Sequence, residues 1–164
     1  MRAWRRSLPS PGGLGLDVIG VRDEALLEFD LQLEAVSEGV LVTGTLTAPL
    51  RGECGRCLDP VSESLSVDVC ELFAYPDSLT DTTTEQDEVY RIVGDHLDLE
   101  PVVRDGVVLG LPLTPLCRPD CSGLCPECGL RLDDLESGHA HESLDPRWAA
   151  LAEMSTSAGQ KRQE

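Results

Sequence analysis

Leu27, Phe29, Leu31 and Leu33 alternate with Glu28, Asp30, Gln32 and Glu34. This period of two predicts a half-buried strand over residues 25–35. Ser37-Glu38-Gly39 supplies a turn, and the β-branched run from Val40 to Ala48 predicts the second arm of an antiparallel hairpin. A third strand is predicted over 64–73, with Leu65, Val67 and Val69 on one face. Its phase slips near Cys70 and Leu72, which implies a bulge or an edge position. Residues 76–88 are polar and acidic and read as a solvated loop, and residues 89–93 read as a short strand. Asp98 has the chemistry of a helix N-cap, with Pro101 in the first turn. Leu99, Val102, Val103, Val107 and Leu111 follow at helical spacing, against the poor helix propensity of Gly106.

Either side of this region the patterning fades. Residues 1–24 mix Pro, Gly and Arg and read as a flexible or loosely docked arm. Residues 112–141 form a cysteine-dense loop, Asp145-Pro146 opens a short last helix, and residues 155–164 read as a disordered tail. The expected class is α+β: an antiparallel sheet, a few short helices and a cysteine-rich, zinc-binding C-terminal segment over 117–141, within one domain of residues 25–154.

The chain has 164 residues, 41% hydrophobic but only 4% aromatic, so the core is expected to be aliphatic. Its formal charge is −17, from 30 acidic residues against 13 basic ones. Affinity for nucleic acid comes largely from cations neutralising phosphates, so bulk electrostatics favour a basic partner protein over free RNA. The acids gather in 71–105, where ten of them face only Arg91 and Arg104, a candidate landing surface for such a partner or simply a solubilising loop. No run of about 18 apolar residues is present, so no membrane span is expected. Arg2, Arg5 and Arg6 are followed by Ser7-Leu8-Pro9 rather than an apolar stretch, which argues against a signal peptide and for a cytoplasmic location.

In a reducing compartment seven cysteines point to metal or catalysis rather than disulfides. Cys54 and Cys57 form one C-x-x-C knuckle, and Cys125 and Cys128, followed by Gly129, form a second. Cys117 and Cys121 make a C-x3-C pair, and His139 and His141 an H-x-H pair. Two ligands from one turn grip an ion at little loop-closure cost, and eight ligands make two four-coordinate zinc sites. Cys70 is left over and is expected to act as a small buried hydrophobe. Two groupings stay open. Cys117, Cys121, Cys125 and Cys128 form a local set in one; Cys54 and Cys57 join Cys117 and Cys121 in the other, leaving Cys125, Cys128, His139 and His141 as a tail module. Arg51, Arg56 and Arg118 flank the first cysteines and are read as offsetting thiolate charge, with contact to RNA phosphates as the alternative. A redox dithiol is the competing reading of a single C-x-x-C, but Cys54 follows a strand and turn rather than opening a helix. No Ser-His-Asp set, Gly-rich phosphate loop or poised carboxylate pair is found, so no enzyme activity and no small-molecule substrate are expected.

The segments Gly52-Glu53-Cys54-Gly55-Arg56-Cys57-Leu58, Leu111-Pro112-Leu113-Thr114-Pro115-Leu116-Cys117 and Cys121-Ser122-Gly123-Leu124-Cys125-Pro126-Glu127-Cys128-Gly129, with Asp145-Pro146-Arg147-Trp148, closely resemble the YceD family over roughly residues 25–154. These are the large-subunit (23S) ribosomal RNA accumulation proteins of bacteria and plastids. The resemblance implies a non-enzymatic ribosome-biogenesis factor supporting synthesis, processing or stability of 23S ribosomal RNA. Its implied partners are a ribosomal protein or large-subunit assembly intermediate, with indirect or local contact to 23S ribosomal RNA. It also favours the grouping of Cys54, Cys57, Cys117 and Cys121, whereas His139-Ala140-His141 stands where many relatives carry C-x-C. A zinc-ribbon module in transcription and a thiol-disulfide oxidoreductase are the alternatives.

Overall fold

A computed structural model describes residues 1–85 and 88–141. The chain divides into two compact units, residues 1–121 and 122–164. The division falls inside the single domain expected over 25–154 and separates Cys117 and Cys121 from the ligands that follow them. The expected helix after Asp145 and the tail over 155–164 lie outside the described residues.

The first unit is a six-stranded sheet built on the predicted hairpin. Strands β3 (Leu26–Val36) and β4 (Gly39–Glu53) pair antiparallel, with Val36 opposite Gly39 across the tight turn. β5 (Pro60–Ala74) pairs with the whole of β4, from Gly39↔Ala74 to Glu53↔Pro60. β1 (Arg2–Pro9) lies against β3, and the two-residue β2 (Ile19–Gly20) against β4. β6 (Tyr90–Arg91) runs parallel to β5, so the expected antiparallel sheet is mixed at this edge. The order is β1-β3-β4-β5-β6, with β4 central and the longest together with β5.

One face of this sheet is the core. Leu27, Phe29 and Leu31 of β3, Val42, Leu46, Ala48 and Leu50 of β4, and Val61, Val69 and Phe73 of β5 are buried. Helix α2 (Glu100–Gly110), the helix after α1 (Leu79–Thr83), covers β5 and buries Val102, Val103 and Val107. Each such side chain contributes about 1.5–3 kcal/mol on full burial. The N-cap position falls on Leu99, whose side chain has no acceptor; Asp98, expected there, stands one residue earlier, and its carboxylate accepts the Glu100 N–H at 3.0 Å. Gly106 has a packing reason: a Cβ there would lie 2.8 Å from Val67 Cγ1, so only glycine lets the helix approach the sheet this closely.

Four expectations are corrected. The segment 1–24 is not a loose arm: it supplies β1 and β2, and Leu14, Ile19 and Val21 are buried. The burial of these apolar side chains outweighs the loop-like composition. No bulge interrupts β5, whose register with β4 is continuous through Thr43↔Cys70; among the described residues only its Phe73 and Ala74 pair with a further strand, so Cys70 and Leu72 do hold the edge position expected as the alternative. The apparent slip arises because Leu72 occupies the outer face, and Cys70 on that face is exposed rather than buried. Within the polar segment 76–88, Leu79–Thr83 forms helix α1, started by the Ser78 hydroxyl, which accepts the Asp81 N–H at 3.2 Å.

Candidate metal centres

Two groups of four side chains each place their ligand atoms within 4.8 Å of one another: Cys54, Cys57, Cys117 and Cys121, and Cys125, Cys128, His139 and His141. All eight residues singled out in the sequence are therefore used. The local set of four consecutive cysteines is not formed.

The first group sits where the longest strands end. Cys54 follows the last residue of β4 and Cys57 precedes β5, so the knuckle is the loop of the β4–β5 hairpin. The Cys54 N–H donates to the Asp59 carbonyl at 2.8 Å, and the Leu58 N–H returns to the Cys54 carbonyl at 2.9 Å. Cys117 and Cys121 arrive after α2, on a segment anchored by buried Leu111 and Pro115. The Gly55 N–H donates to the Pro115 carbonyl at 2.8 Å, joining the two segments directly. Cys54 and Cys121 sulfurs are 3.8 Å apart, and those of Cys57 and Cys117 3.5 Å. Cys54, Cys57 and Cys121 are buried.

Such crowding sets the protonation of the thiols. Burial works against the Cys54 thiolate, but the backbone N–H groups of Cys117, Cys57 and Arg56 hold its pKa down to about 6. At Cys57 the Asp59 N–H lowers the pKa. Burial and hydrogen bonding with Cys117, Cys54 and Cys121 outweigh it, and the thiol is pushed up to about 12. For Cys117, Cys57 lowers and burial with Cys121 and Cys54 raises, the net direction being up. Four sulfurs this close cannot all carry charge without a cation among them.

Arg56 proves more than a charge balance. Its N–H faces the Cys54 sulfur at 3.5 Å, and its guanidinium donates to the Cys121 carbonyl at 2.8 Å, tying the first cysteine pair to the second. Arg51 donates to the Ser62 hydroxyl, and Arg118 pairs with Asp120 at 3.3 Å. Only the position of Arg56 between two ligands signalled its bridging role in the sequence.

The second group repeats the knuckle. The Cys125 N–H donates to the Leu130 carbonyl and the Gly129 N–H to the Cys125 carbonyl, both at 2.8 Å. Gly129 has φ +70°, a left-handed conformation that favours glycine. The N–H groups of Cys128 and Glu127 lower the Cys125 pKa to about 6 against burial, helped by His139 and Cys128. A single 3-10 turn, Leu132–Asp134, leads back through Gly138 to the histidines. His139 Nε2 lies 3.6 Å from the Cys128 sulfur, and the two imidazoles meet edge to face at 4.5 Å. Of these four ligands only Cys125 is buried.

The donor sets fit a borderline-soft divalent cation: four thiolates in one group, two thiolates and two imidazoles in the other. Such an ion would neutralise the crowded sulfurs, and in the first group it would cross-link segments some sixty residues apart in sequence. Among the described residues no helix is long and apolar enough to cross a membrane.

The acids of 71–105 are partly committed inside the fold. Asp81 pairs with Arg91 at 2.6 Å, Glu100 with Arg104 at 3.0 Å, and Asp105 accepts from the Tyr90 hydroxyl at 3.3 Å.

The chain is similar to known proteins along most of its length. An uncharacterized protein of Mycobacterium tuberculosis is 58% identical over 145 residues, covering 88% of this chain and 70% of the relative. One of Mycobacterium leprae is 45% identical over 152 residues, covering 93% and 70%. The YlbN protein of Bacillus subtilis is 26% identical over 126 residues, covering 76% and 69%. No solved structure matches. The family described as large ribosomal RNA subunit accumulation protein YceD matches residues 42–155, which hold both groups of ligands, and the chain belongs to the YceD family.

Proposed function

We propose that this protein is a non-enzymatic, cytoplasmic ribosome-biogenesis factor that supports synthesis, processing or stability of 23S ribosomal RNA. Family membership carries this reading. The charge of −17 supports a basic ribosomal protein, or an assembly intermediate displaying one, as the main partner.

The metal is zinc, one ion for each group of four, and its role is structural. Structural zinc contributes on the order of 10 kcal/mol to the folding of small domains. Three of the four thiols of the first group, Cys54, Cys57 and Cys121, are buried, and the knuckle is a hairpin loop rather than a helix start, which favours a structural ion over dithiol exchange.

Comparison of mature large- and small-subunit ribosomal RNA in a deletion strain tests the function. The large-to-small ratio should fall and recover on complementation; an unchanged ratio removes the proposal. Cosedimentation with large-subunit precursors, with no disulfide reductase turnover, separates it from the oxidoreductase and transcription alternatives.

A further inference from the structure

We infer that the edge strand β1 is a contact surface for single-stranded RNA, with Arg2 and Arg6 on phosphates and Trp4 against a base. The choice of RNA as ligand rests on the ribosomal reading above; the surface itself is read from charge and register.

In a chain of charge −17, residues 1–16 hold Arg2, Arg5 and Arg6 and no Asp or Glu. Among the described residues β1 ends the sheet and is paired on one side only, which leaves its outer backbone edge open there. Arg2, Trp4 and Arg6 stand opposite Leu33, Leu31 and Phe29, and cross-strand partners share a face. The three side chains therefore follow one another along one face, over about 13 Å. Arg5 lies on the reverse face, where Asp30 takes its guanidinium at 2.8 Å. The neighbouring acids Glu28 and Glu34 share that reverse face with Asp30. Charge is thus segregated across the sheet.

Arg2 and Arg6 are exposed, and neither forms a salt bridge among the described residues. Arg6 donates one N–H to the Arg5 carbonyl at 2.9 Å, which leaves its remaining donors. Trp4 is half-buried, its ring held edge to face against Phe29 with centroids 5.5 Å apart. An aromatic ring between two uncompensated guanidinium groups is the chemistry that takes a single strand: bidentate phosphate contacts with a stacking surface between them. A purely acidic peptide would leave the indole without a role. β1 lies outside the residues matched by the family, 42–155. The plain alternative is that the arginines only keep this open edge from pairing with other chains.

The test is anisotropy of a labelled oligouridylate with the full chain, at stepped salt. Two phosphate contacts on a single strand give a log–log salt slope of about −1.4, so a fourfold rise in salt weakens binding about sevenfold. Arg2→Gln/Arg6→Gln flattens that slope. Trp4→Leu keeps it while weakening binding about fivefold or more, and Arg5→Gln changes neither. Melting temperature and metal content, measured alongside, confirm that each variant is folded. Absence of binding at low salt, or an unaltered slope in folded Arg2→Gln/Arg6→Gln, overturns the inference. Aggregation of that variant with normal RNA binding by its monomer overturns it in favour of edge protection. Tighter arginine-dependent binding of polyglutamate than of RNA overturns it in favour of an acidic protein. None of these outcomes touches the ribosomal RNA ratio that tests the function itself.

Discussion

Leu58 and Gly129 occupy the same position in two separate knuckles, at φ +63° and +70°. Each donates its N–H to the carbonyl of the first cysteine of its knuckle, at 2.9 and 2.8 Å. The hydrogen-bonding that shapes the turn is common to both, but only Gly129 has the residue the backbone favours. A left-handed conformation costs an ordinary residue about 1–2 kcal/mol, and Leu58, 62% exposed, recovers little of that by burial.

That comparison gives the first prediction. At position 58 the usual order of alanine over glycine should reverse, Leu58→Gly being more stable than Leu58→Ala by about 1 kcal/mol. At position 129, where no atom stands within 4 Å of an added Cβ, Gly129→Ala should cost about 1 kcal/mol from backbone strain alone. Chemical denaturation measures both, and alanine equal to glycine at position 58 would refute the shared geometry.

Cysteine substitutions should divide by location. Cys70→Ser lies on the exposed outer face of β5, and should change stability by no more than about 0.5 kcal/mol with metal content intact. Cys54→Ser, at a fully buried ligand, should lose the ion of the first group and destabilise the β4–β5 hairpin end. Elemental analysis with thermal melts separates the two. Equal losses from both variants would return Cys70 to the buried role its sequence suggests.

Why Cys70 was misread shows what the sequence holds. The β3–β4 hairpin was legible because Leu27, Phe29, Leu31 and Leu33 keep strict alternation over one buried face. β5 misled because Leu72 breaks that alternation from the outer face while the ladder runs on undisturbed. β1 was hidden because two of the positions in register with the apolar side of β3 carry the exposed Arg2 and Arg6, so its pattern reads as charge instead of periodicity. The candidate ligands were legible from spacing alone. Their grouping was not, because it depends on where α2 returns the chain, and that is fixed by Val102, Val103 and Val107 packing against the sheet.

The Asp81–Arg91 pair should give stability a local acid dependence. Arg91 and the Asp77 N–H both hold Asp81 below the usual carboxylate range. A depressed carboxylate pKa contributes stability that is fully present above the unfolded-state value, about 3.9, and is lost as pH falls through the lower folded value. Asp81→Asn should therefore melt below the parent protein at neutral pH. The gap should be largely unchanged down to about pH 4 and close below it. A gap that stayed constant at still lower pH would mean that the loss came from helix α1 rather than from the ion pair.

Metal removal should proceed in two stages. Three ligands of the first group are buried, and that group gathers residues 54 to 121 beside the Gly55–Pro115 backbone hydrogen bond. The second group has only Cys125 buried and lies within one short segment, 125–141. A chelator competes by capturing ligands that open transiently, so exposure governs the rate more than intrinsic affinity does. Purified protein should carry close to two zinc ions, the first leaving quickly and the second only as the sheet opens. Cys128→Ser/His139→Ala should remove the fast phase and leave the slow one unchanged. Cys57→Ser should do the reverse and lower the melting temperature of the first unit. Release of both ions in one step would show that the two groups act as one structural element. A single ion from the outset, unaffected by Cys128→Ser/His139→Ala, would make His139 and His141 bystanders.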